Sequence, residues 1–246
     1  MLFKISRLPG VAKLHPWVRG RDNNSRFLPV NADIETPEGA PLPIELLYRL
    51  INEASHRMVI DYCACRKACG CRKYDTDIGC LVLGDSGLEI ARSVSREVTP
   101  QEARKYTNSA VAQGLIPFVG KIRMDNLLYG IRDVHKLLTV CYCRECCCVA
   151  RFTRHIPMEH LEPAYTRLAG VEILVGEECT GCGKCADACF MQAIEVVGER
   201  ATINEYCRAC GRCATVCPSD AIKVRLTDAT FLEDAYRQIG ARVSHT

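Results

Sequence analysis

The sequence predicts an α+β protein, in which a mainly helical, cysteine-rich region is followed by a smaller C-terminal unit made of two similar halves. The halves are predicted by a repeated motif, C-x2-C-x2-C-x3-C, in CTGCGKCADACF at 179–190 and CRACGRCATVCP at 207–218. Short apolar stretches flank both motifs and predict strands, whereas apolar residues at three- and four-residue steps upstream predict helices. We expect four divisions: a basic arm (1–38), the cysteine-rich domain (39–168), the two-halved unit (169–226) and a last helix (227–246).

Two upstream helices are predicted from apolar stripes. The first begins at Pro43, a residue suited to the first turn of a helix, and runs directly into Cys63. Its stripe is formed by Ile44, Leu47, Ile51, Ala54 and Met58. A second stripe, within residues 87–98, is formed by Leu88, Ala91, Val94 and Val98. We interpret both stripes as faces that pack on the core.

A third helix is predicted from a capping box with proline at the first helical position, Thr99-Pro100-Gln101-Glu102. This helix should run to about Gln113 and stop at Gly114. The following stretch, GLIPFVGKIRMDN at 114–126, is expected to be extended or looping, because its proline and glycine disfavour a helix.

The C-terminal unit should contain short strands and a hairpin. The strands are predicted at Val171–Val175, Ala193–Val197, Ala201–Ile203 and Ala221–Val224. Gly198-Glu199-Arg200 stands where the central hairpin should turn. A last helix over Ala229–Ile239, capped by Thr227 and closed by Gly240, is expected to pack on this unit.

The composition favours a metal protein of the cytoplasm. The chain has 246 residues, is 48% hydrophobic and 25% charged, and contains no apolar run of about 18 residues, so no membrane span is expected. The first residues are basic, but no continuous apolar segment follows them, so a secretory signal is not predicted. Cytoplasmic thiols stay reduced. The 18 cysteines are therefore expected to be metal ligands rather than disulfides.

The paired C-terminal motifs resemble the bacterial-type ferredoxin with two [4Fe-4S] clusters, over about residues 170–226. Zinc is the alternative, but zinc sites pair two cysteines with two further ligands after a longer loop. Gly181, Gly183 and Gly211 would let the motif backbone curl around a cluster. One departure from the family is Phe190, which follows Cys189 where proline is common.

The resemblance implies that the fourth cysteine of each motif serves the other cluster. One cluster would be bound by Cys179, Cys182, Cys185 and Cys217, and the other by Cys189, Cys207, Cys210 and Cys213.

Ten further cysteines lie upstream, in DYCACRKACGCRKYDTDIGC at 61–80 and CYCRECCC at 141–148. Their arrangement resembles a group of anaerobe iron–sulfur proteins that carry C-x-C-R…G-C…C-L-x-x-G, then a run ending in C-C-C, then a ferredoxin pair. Cys69 is extra to this pattern, and Arg144 stands where some relatives have another cysteine. The resemblance implies nine candidate metal ligands: Cys63, Cys65, Cys71, Cys80, Cys141, Cys143, Cys146, Cys147 and Cys148.

The number of upstream clusters stays open. Consecutive side chains point in different directions, so Cys146, Cys147 and Cys148 should not all bind one compact cluster. Two further [4Fe-4S] clusters, each built from both cysteine groups, are one arrangement. A single cluster with bystander cysteines and a larger cluster with shared thiolates are the others. For each of these three arrangements, the predicted fold is a ferredoxin (2[4Fe-4S]) unit fused to a mainly helical cysteine-rich iron–sulfur domain.

The basic arm is not expected to bind nucleic acid. Its basic residues, up to position 26, are Lys4, Arg7, Lys13, Arg19, Arg21 and Arg26. No interleaved aromatic residues or nucleic-acid motif accompany them. Docking of a partner subunit, or simple packing, is the expected role.

These features predict an electron-transfer protein for an anaerobic oxidoreductase partner, for example a flavoprotein. No P-loop, dinucleotide fingerprint or C-x3-C-x2-C radical-enzyme motif occurs, so the partner is expected to supply the substrate chemistry. One alternative is a reductase or activating enzyme whose upstream domain holds a catalytic cluster with an open iron site. Another is a redox or cluster sensor.

Overall fold

The structure is a computed structural model that describes residues 23–148, 150–151, 155–241 and 244–246. The strands are β1 (Asn24–Phe27), β2 (Ile34–Glu35), β3 (Arg57–Ile60), β4 (Leu81–Leu83), β5 (Ser95–Glu97), β6 (Ile116–Lys121), β7 (Leu138–Cys143), β8 (Val171–Val175), β9 (Ile194–Val197), β10 (Arg200–Ile203) and β11 (Ile222–Leu226). The helices are α1 (Pro43–Glu53), α2 (Ala64–Ala68), α3 (Pro100–Ala112), α4 (Arg123–Tyr129), α5 (Met158–Ala164), α6 (Lys184–Ala188) and α7 (Phe231–Gly240). None of the described helices is long and apolar enough to cross a membrane.

The upstream region is built on a six-stranded antiparallel sheet, in the order β1-β6-β7-β4-β3-β5. The cysteine-rich region therefore combines helices with a sheet that the prediction of a mainly helical domain did not include. Short apolar runs such as Arg57–Ile60 and Leu81–Leu83 fit either a buried strand or part of a helix, and periodicity alone does not separate the two. Pairing with distant strands decided the outcome.

The two faces of this sheet have different partners. Leu138, Val140 and Tyr142 of β7 belong to the apolar core that includes buried residues of α1 and α3. The Tyr142 hydroxyl lies 2.7 Å from Thr107 Oγ1 of α3. Because successive strand residues point to opposite faces, Cys141 and Cys143 face away from these helices.

The first predicted helix ends earlier than its apolar stripe suggested. α1 stops at Glu53, and Met58 lies in β3. The Arg57 side chain donates to the carbonyl oxygens of Ile51 (2.5 Å), Asn52 (3.0 Å) and Ala54, so it satisfies the last carbonyls of the helix. The second predicted helix was also wrong, since residues 87–98 contain the end of a 3₁₀ turn and β5.

The third predicted helix is present as α3. Thr99 Oγ1 accepts from the Glu102 N–H at 3.3 Å, and the Glu102 carboxylate accepts from the Thr99 N–H at 2.8 Å, which completes the capping box. The stretch at 114–126 is extended over β6 and then enters α4, so only its first part agrees with the prediction.

The C-terminal unit contains strands close to the predicted ones. β8 pairs with β11, and β9 and β10 form a hairpin. β2 adds a parallel strand to the open edge of β11. Residues from the first 38 positions therefore contribute a strand to each of the two larger sheets. The basic residues up to Arg21 lie outside the described residues, whereas Arg26 is buried and donates to Gln238 and Asn24.

The last helix differs from the prediction at its start and in its packing. α7 begins at Phe231, and Thr227 instead donates its hydroxyl to the Gly170 carbonyl at 3.1 Å. Arg49 of α1 pairs with Glu233 at 2.5 Å and lies 3.8 Å from the centre of the Tyr236 ring. α7 thus makes polar contacts with α1 and, through Gln238, with Asn24 and Arg26. Its buried face joins the core that also holds residues of β11.

Candidate metal centres

The C-terminal unit encloses two small cavities, each lined by four cysteines. One has an empty volume of about 290 Å³ and is lined by Cys179, Cys182, Cys185 and Cys217. The other has an empty volume of about 310 Å³ and is lined by Cys189, Cys207, Cys210 and Cys213. We call the cavity with Cys179 the distal site and the cavity with Cys189 the proximal site, because the latter packs against the upstream region. Their grouping in space is that of the two expected ligand sets, with the fourth cysteine of each motif lying beside the other motif.

The two motifs repeat the same local backbone at a spacing of 28 residues, the separation of Cys179 from Cys207. Corresponding positions with a positive φ form three pairs: Gly181 and Ala209 (63° and 48°), Gly183 and Gly211 (77° and 76°), and Gln192 and Asp220 (50° and 52°). Three of the six are glycine, which adopts this conformation without steric cost. These turns allow the backbone to curl around each cavity.

Backbone N–H groups point at the sulfur atoms of three cysteines. The donor–acceptor pairs are Ala201 N to Cys179 Sγ (3.4 Å), Ala193 N to Cys189 Sγ (3.3 Å) and Ala209 N to Cys207 Sγ (3.4 Å). Hydrogen bonds of this kind favour the thiolate over the thiol. Four thiol donors around a small cavity, with N–H groups aimed at sulfur, fit a [4Fe-4S] cluster at each site.

The proximal site is the drier of the two. Burial raises the pKa of Cys213 to about 12 and also raises the pKa of Cys189 and Cys210. In the distal site, burial also raises the pKa of Cys185, but the pKa of Cys217, which burial alone would raise, is lowered below its usual value by hydrogen bonds from Ser219 and from backbone N–H groups. Cys189, Cys210 and Cys213 of the proximal site therefore need a bound cation to become thiolates at neutral pH.

A third, larger cavity lies upstream and has an empty volume of about 740 Å³, more than twice that of either other site. We call it the upstream cavity. Its cysteines are Cys63, Cys65, Cys80, Cys141, Cys143, Cys147 and Cys148. Seven of the nine upstream candidate ligands therefore line the same cavity.

Strand pairing brings the two upstream cysteine groups together. Cys80 stands immediately before β4, and β4 pairs with β7 so that Leu81 lies opposite Val140. Cys80 Sγ is consequently 3.3 Å from Cys141 Sγ, although 61 positions separate them. On the same face of β7, Cys143 Sγ lies 3.1 Å from Cys148 Sγ.

The remaining wall of the cavity is formed where α2 is tied to β7. Cys63 caps the start of α2 and Cys65 lies in its first turn. Arg66 is buried and donates to the carbonyl oxygens of Tyr142 (2.9 Å) and Ile78. This double contact holds the Cys63–Cys65 segment against the strand that carries Cys141 and Cys143.

A second group of thiols, which overlaps the cavity at Cys147, consists of Cys71, Cys146 and Cys147, whose sulfur atoms all lie within 4.8 Å of one another. The consecutive cysteines 146–148 are therefore divided, since Cys148 instead contacts Cys143 inside the cavity. Cys69 is exposed and belongs to neither group among the described residues.

The structure adds residues to the upstream site that the sequence analysis did not select. The aromatic and acidic ones among them include Phe118, Asp125, Tyr129 and Tyr165, which line the cavity. Burial raises the pKa of Asp125 to about 7. No spacing in the sequence links these residues to the cysteines. The alternation in LTVCYC at 138–143, however, would have indicated a strand with both cysteines on one face.

Replacing Gly79 by alanine is expected to destabilise the fold around Cys80. An added Cβ would lie 2.2 Å from the Ile60 carbonyl oxygen and 2.6 Å from that of Tyr62, so the backbone would have to shift. Overpacking of this kind typically costs about 1–3 kcal/mol. The measurement is the thermal unfolding midpoint of anaerobically purified protein. Gly240→Ala is the control, because nothing lies within 4 Å of its Cβ position, and an equal midpoint for both variants would contradict the argument.

Comparison with known proteins bears on the C-terminal unit. Residues 178–221 match the protein family described as the 4Fe-4S dicluster domain. No curated protein and no solved structure matches the chain. The matched segment contains all eight cysteines of the distal and proximal sites. This chain therefore carries a ferredoxin-like 4Fe-4S domain at its C-terminal end.

Proposed function

We propose that the protein is a multi-cluster iron–sulfur electron-transfer protein, a ferredoxin-like subunit or shuttle for an anaerobic oxidoreductase partner such as a flavoprotein. The observation that carries the proposal is the upstream cavity with its seven cysteines, packed beside a 4Fe-4S domain. A bound [4Fe-4S] cluster supplies one-electron redox chemistry, at potentials that proteins set between about −700 and +450 mV. The residues of the chain would bind the clusters, shield them from solvent and determine the order in which the sites lie.

In this proposal the domain is pseudo-symmetric and binds two [4Fe-4S] clusters. One is held by Cys179, Cys182, Cys185 and Cys217, and the other by Cys189, Cys207, Cys210 and Cys213. The cysteines of the upstream cavity hold one or two further iron–sulfur clusters. The two clusters of the domain are supported by the backbone conformation that repeats after 28 residues and by the two four-cysteine cavities. The further clusters are supported by the volume of the upstream cavity.

Packing supports a linear order of the three sites. One apolar cluster contains Cys143 and Cys148 of the upstream cavity together with Cys189, Cys207 and Cys210 of the proximal site. Cys179, Cys185 and Cys217 of the distal site belong instead to another apolar cluster, which they share with Cys189 and Cys213 of the proximal site. The distal site also has an exposed cysteine, Cys182. We infer the order distal, proximal, upstream, with a partner approaching at Cys182.

Aromatic side chains fill the space between the proximal site and the upstream cavity. Phe190, next to Cys189, has its ring centre 4.8 Å from that of Phe27, which is 4.3 Å from that of Phe118. Phe118 is stacked with Tyr165 at 5.6 Å, and both line the upstream cavity. The departure from proline at Phe190 thus has a structural role, because this ring joins the two regions through a buried aromatic contact.

Iron and acid-labile sulfide counts on anaerobically purified protein test the proposal. We expect about 12 irons per chain for one upstream cubane cluster and about 16 for two, with matching sulfide. A count of about 8 irons would mean that the upstream cavity holds no cluster. Electron transfer between the ferredoxin-like domain and the upstream cavity would then no longer be part of the proposal. A colourless, folded protein containing zinc or disulfides in place of iron would contradict it entirely.

A second candidate function is a reductase or activating enzyme with a catalytic cluster in the upstream cavity. It is favoured by the size of the cavity and by Asp125 and Tyr129 in its wall, which a pure relay does not require. Added cyanide should change the electron paramagnetic resonance (EPR) signal of the upstream site if one iron position is open. An unchanged signal favours the relay.

A further inference from the structure

Three of the upstream thiols form, among the described residues, the one group of three metal-ligating side chains whose ligand atoms all lie within 4.8 Å of one another. Cys71 Sγ and Cys146 Sγ are 3.4 Å apart, and Cys147 Sγ completes a triangle in which no side exceeds 4.8 Å. Cys147 also lines the upstream cavity, whereas Cys71 and Cys146 are absent from its described lining. We propose that Cys71, Cys146 and Cys147 form a separate site for a single thiophilic divalent cation of the zinc type.

The size of the triangle supports a single ion. Zinc–thiolate bonds of about 2.3 Å in a tetrahedron place neighbouring sulfur atoms about 3.8 Å apart. A cubane cluster instead binds each cysteine through a different iron, so its cysteines surround a larger volume. In the distal and proximal sites the cysteines line cavities of about 290 and 310 Å³, whereas the three sulfur atoms of the triangle all lie within 4.8 Å of one another.

Two backbone turns place the three sulfur atoms together. Cys71 follows α2, and its N–H donates to the Arg66 carbonyl at 3.0 Å. Cys146 and Cys147 occupy a turn closed by the Cys148 N–H, which donates to the Arg144 carbonyl at 3.2 Å.

The charge around the triangle also suits an anionic metal–thiolate site. Three thiolates and one divalent cation carry a net charge of −1. Arg151 donates to the Cys146 carbonyl at 2.7 Å, and Lys73 pairs with Glu145 at 2.9 Å. Arg144 is nearly buried and lies 4.5 Å from the centre of the Tyr74 ring. Basic side chains in a partly buried region stabilise such a charge.

This site would connect two segments that are 75 positions apart in sequence. It would bind the turn after α2 to the turn after β7, beside the upstream cavity. It would also remove Cys71, Cys146 and Cys147 from the set available to clusters, leaving six cysteines in the cavity: Cys63, Cys65, Cys80, Cys141, Cys143 and Cys148. Six cysteines can hold one four-cysteine cluster but not two, so this inference goes with about 12 irons per chain. Three protein ligands leave the fourth position of a tetrahedral ion to water.

Elemental analysis of the full chain, purified anaerobically, tests this assignment. The wild type should contain about one zinc per chain in addition to its iron. Cys71→Ser and Cys146→Ser should each lower the zinc content about tenfold and leave the iron count unchanged. Cys69→Ser is the matched control, since Cys69 lies on the same segment but is exposed and outside the triangle. Cobalt(II) supplied in place of zinc should show thiolate charge-transfer absorption that Cys71→Ser abolishes.

Several results would overturn the proposal. Loss of about four irons in Cys71→Ser would place the triangle in an iron–sulfur cluster. Zinc that survives both substitutions would be bound elsewhere, and wild-type protein that takes up neither zinc nor cobalt has no such site. Failure of the electron-transfer proposal is a different observation, because it appears as missing iron and sulfide in the wild type.

Discussion

Cys213→Ala should remove about four irons per chain and abolish the signal of the proximal site. Cys213 is 6% exposed, and burial raises the pKa of its thiol to about 12. When its side chain is removed, water has little access to the vacant iron position, so no substitute ligand stabilises the remaining assembly. We therefore expect loss of the whole cluster rather than of one iron, with the distal site retained.

The matched comparison is Cys182→Ala, which removes a ligand of the distal site at an exposed position. Solvent can reach that iron and replace the thiolate, so this variant should lose fewer than about four irons. Iron content and EPR spectra, recorded on reduced protein, measure both effects. Equal losses in the two variants would show that burial does not decide the outcome. Loss of the distal signal in Cys213→Ala would contradict the grouping of the cysteines.

Phe190→Ala should destabilise the protein by about 3–5 kcal/mol, the usual cost of removing a buried phenylalanine ring. Phe190 is 2% exposed and belongs to the apolar cluster that joins the proximal site to the upstream cavity. Its removal leaves a hole beside Phe27, whose ring centre is 4.8 Å away. Phe190→Pro, which restores the residue common in the family, should be destabilising for the same reason. The measurement is the thermal unfolding midpoint under anaerobic conditions.

Val197→Ala is the control for this prediction. Val197 lies in the same domain but is 63% exposed, so its truncation should change the stability by less than about 0.5 kcal/mol. If Phe190→Ala had as small an effect as Val197→Ala, the aromatic contact would not be part of the folded core, and the inferred order of the three sites would lose its structural support.

Local sequence was sufficient where a feature depends on a few neighbouring residues. Such features are the two four-cysteine motifs with their glycines and the capping box at Thr99–Glu102. Each depends on residues that are close together in the sequence. For that reason β8 and α3 lie at or within a residue of where they were predicted. The family match at 178–221 rests on the same short-range pattern.

Sequence patterns failed where the partner of a segment lies far away in the chain. Met58 fits the stripe of α1 as well as it fits β3, and only pairing with β4 and β5 selects the strand. Threonine is a common helix cap, but the Thr227 hydroxyl instead donates a hydrogen bond to the Gly170 carbonyl. Both outcomes depend on tertiary contacts that override local propensity.

The sequence alone determined that this protein has a ferredoxin-like 4Fe-4S domain, because the spacing of cysteines in a short loop decides which metal group the loop can surround. Only the tertiary structure decided how the upstream cysteines are shared. Cys80 and Cys141 meet through strand pairing across 61 positions, and Cys146 and Cys148 diverge because neighbouring side chains leave a turn in different directions. Those arrangements follow from sheet register and packing, which no local spacing encodes.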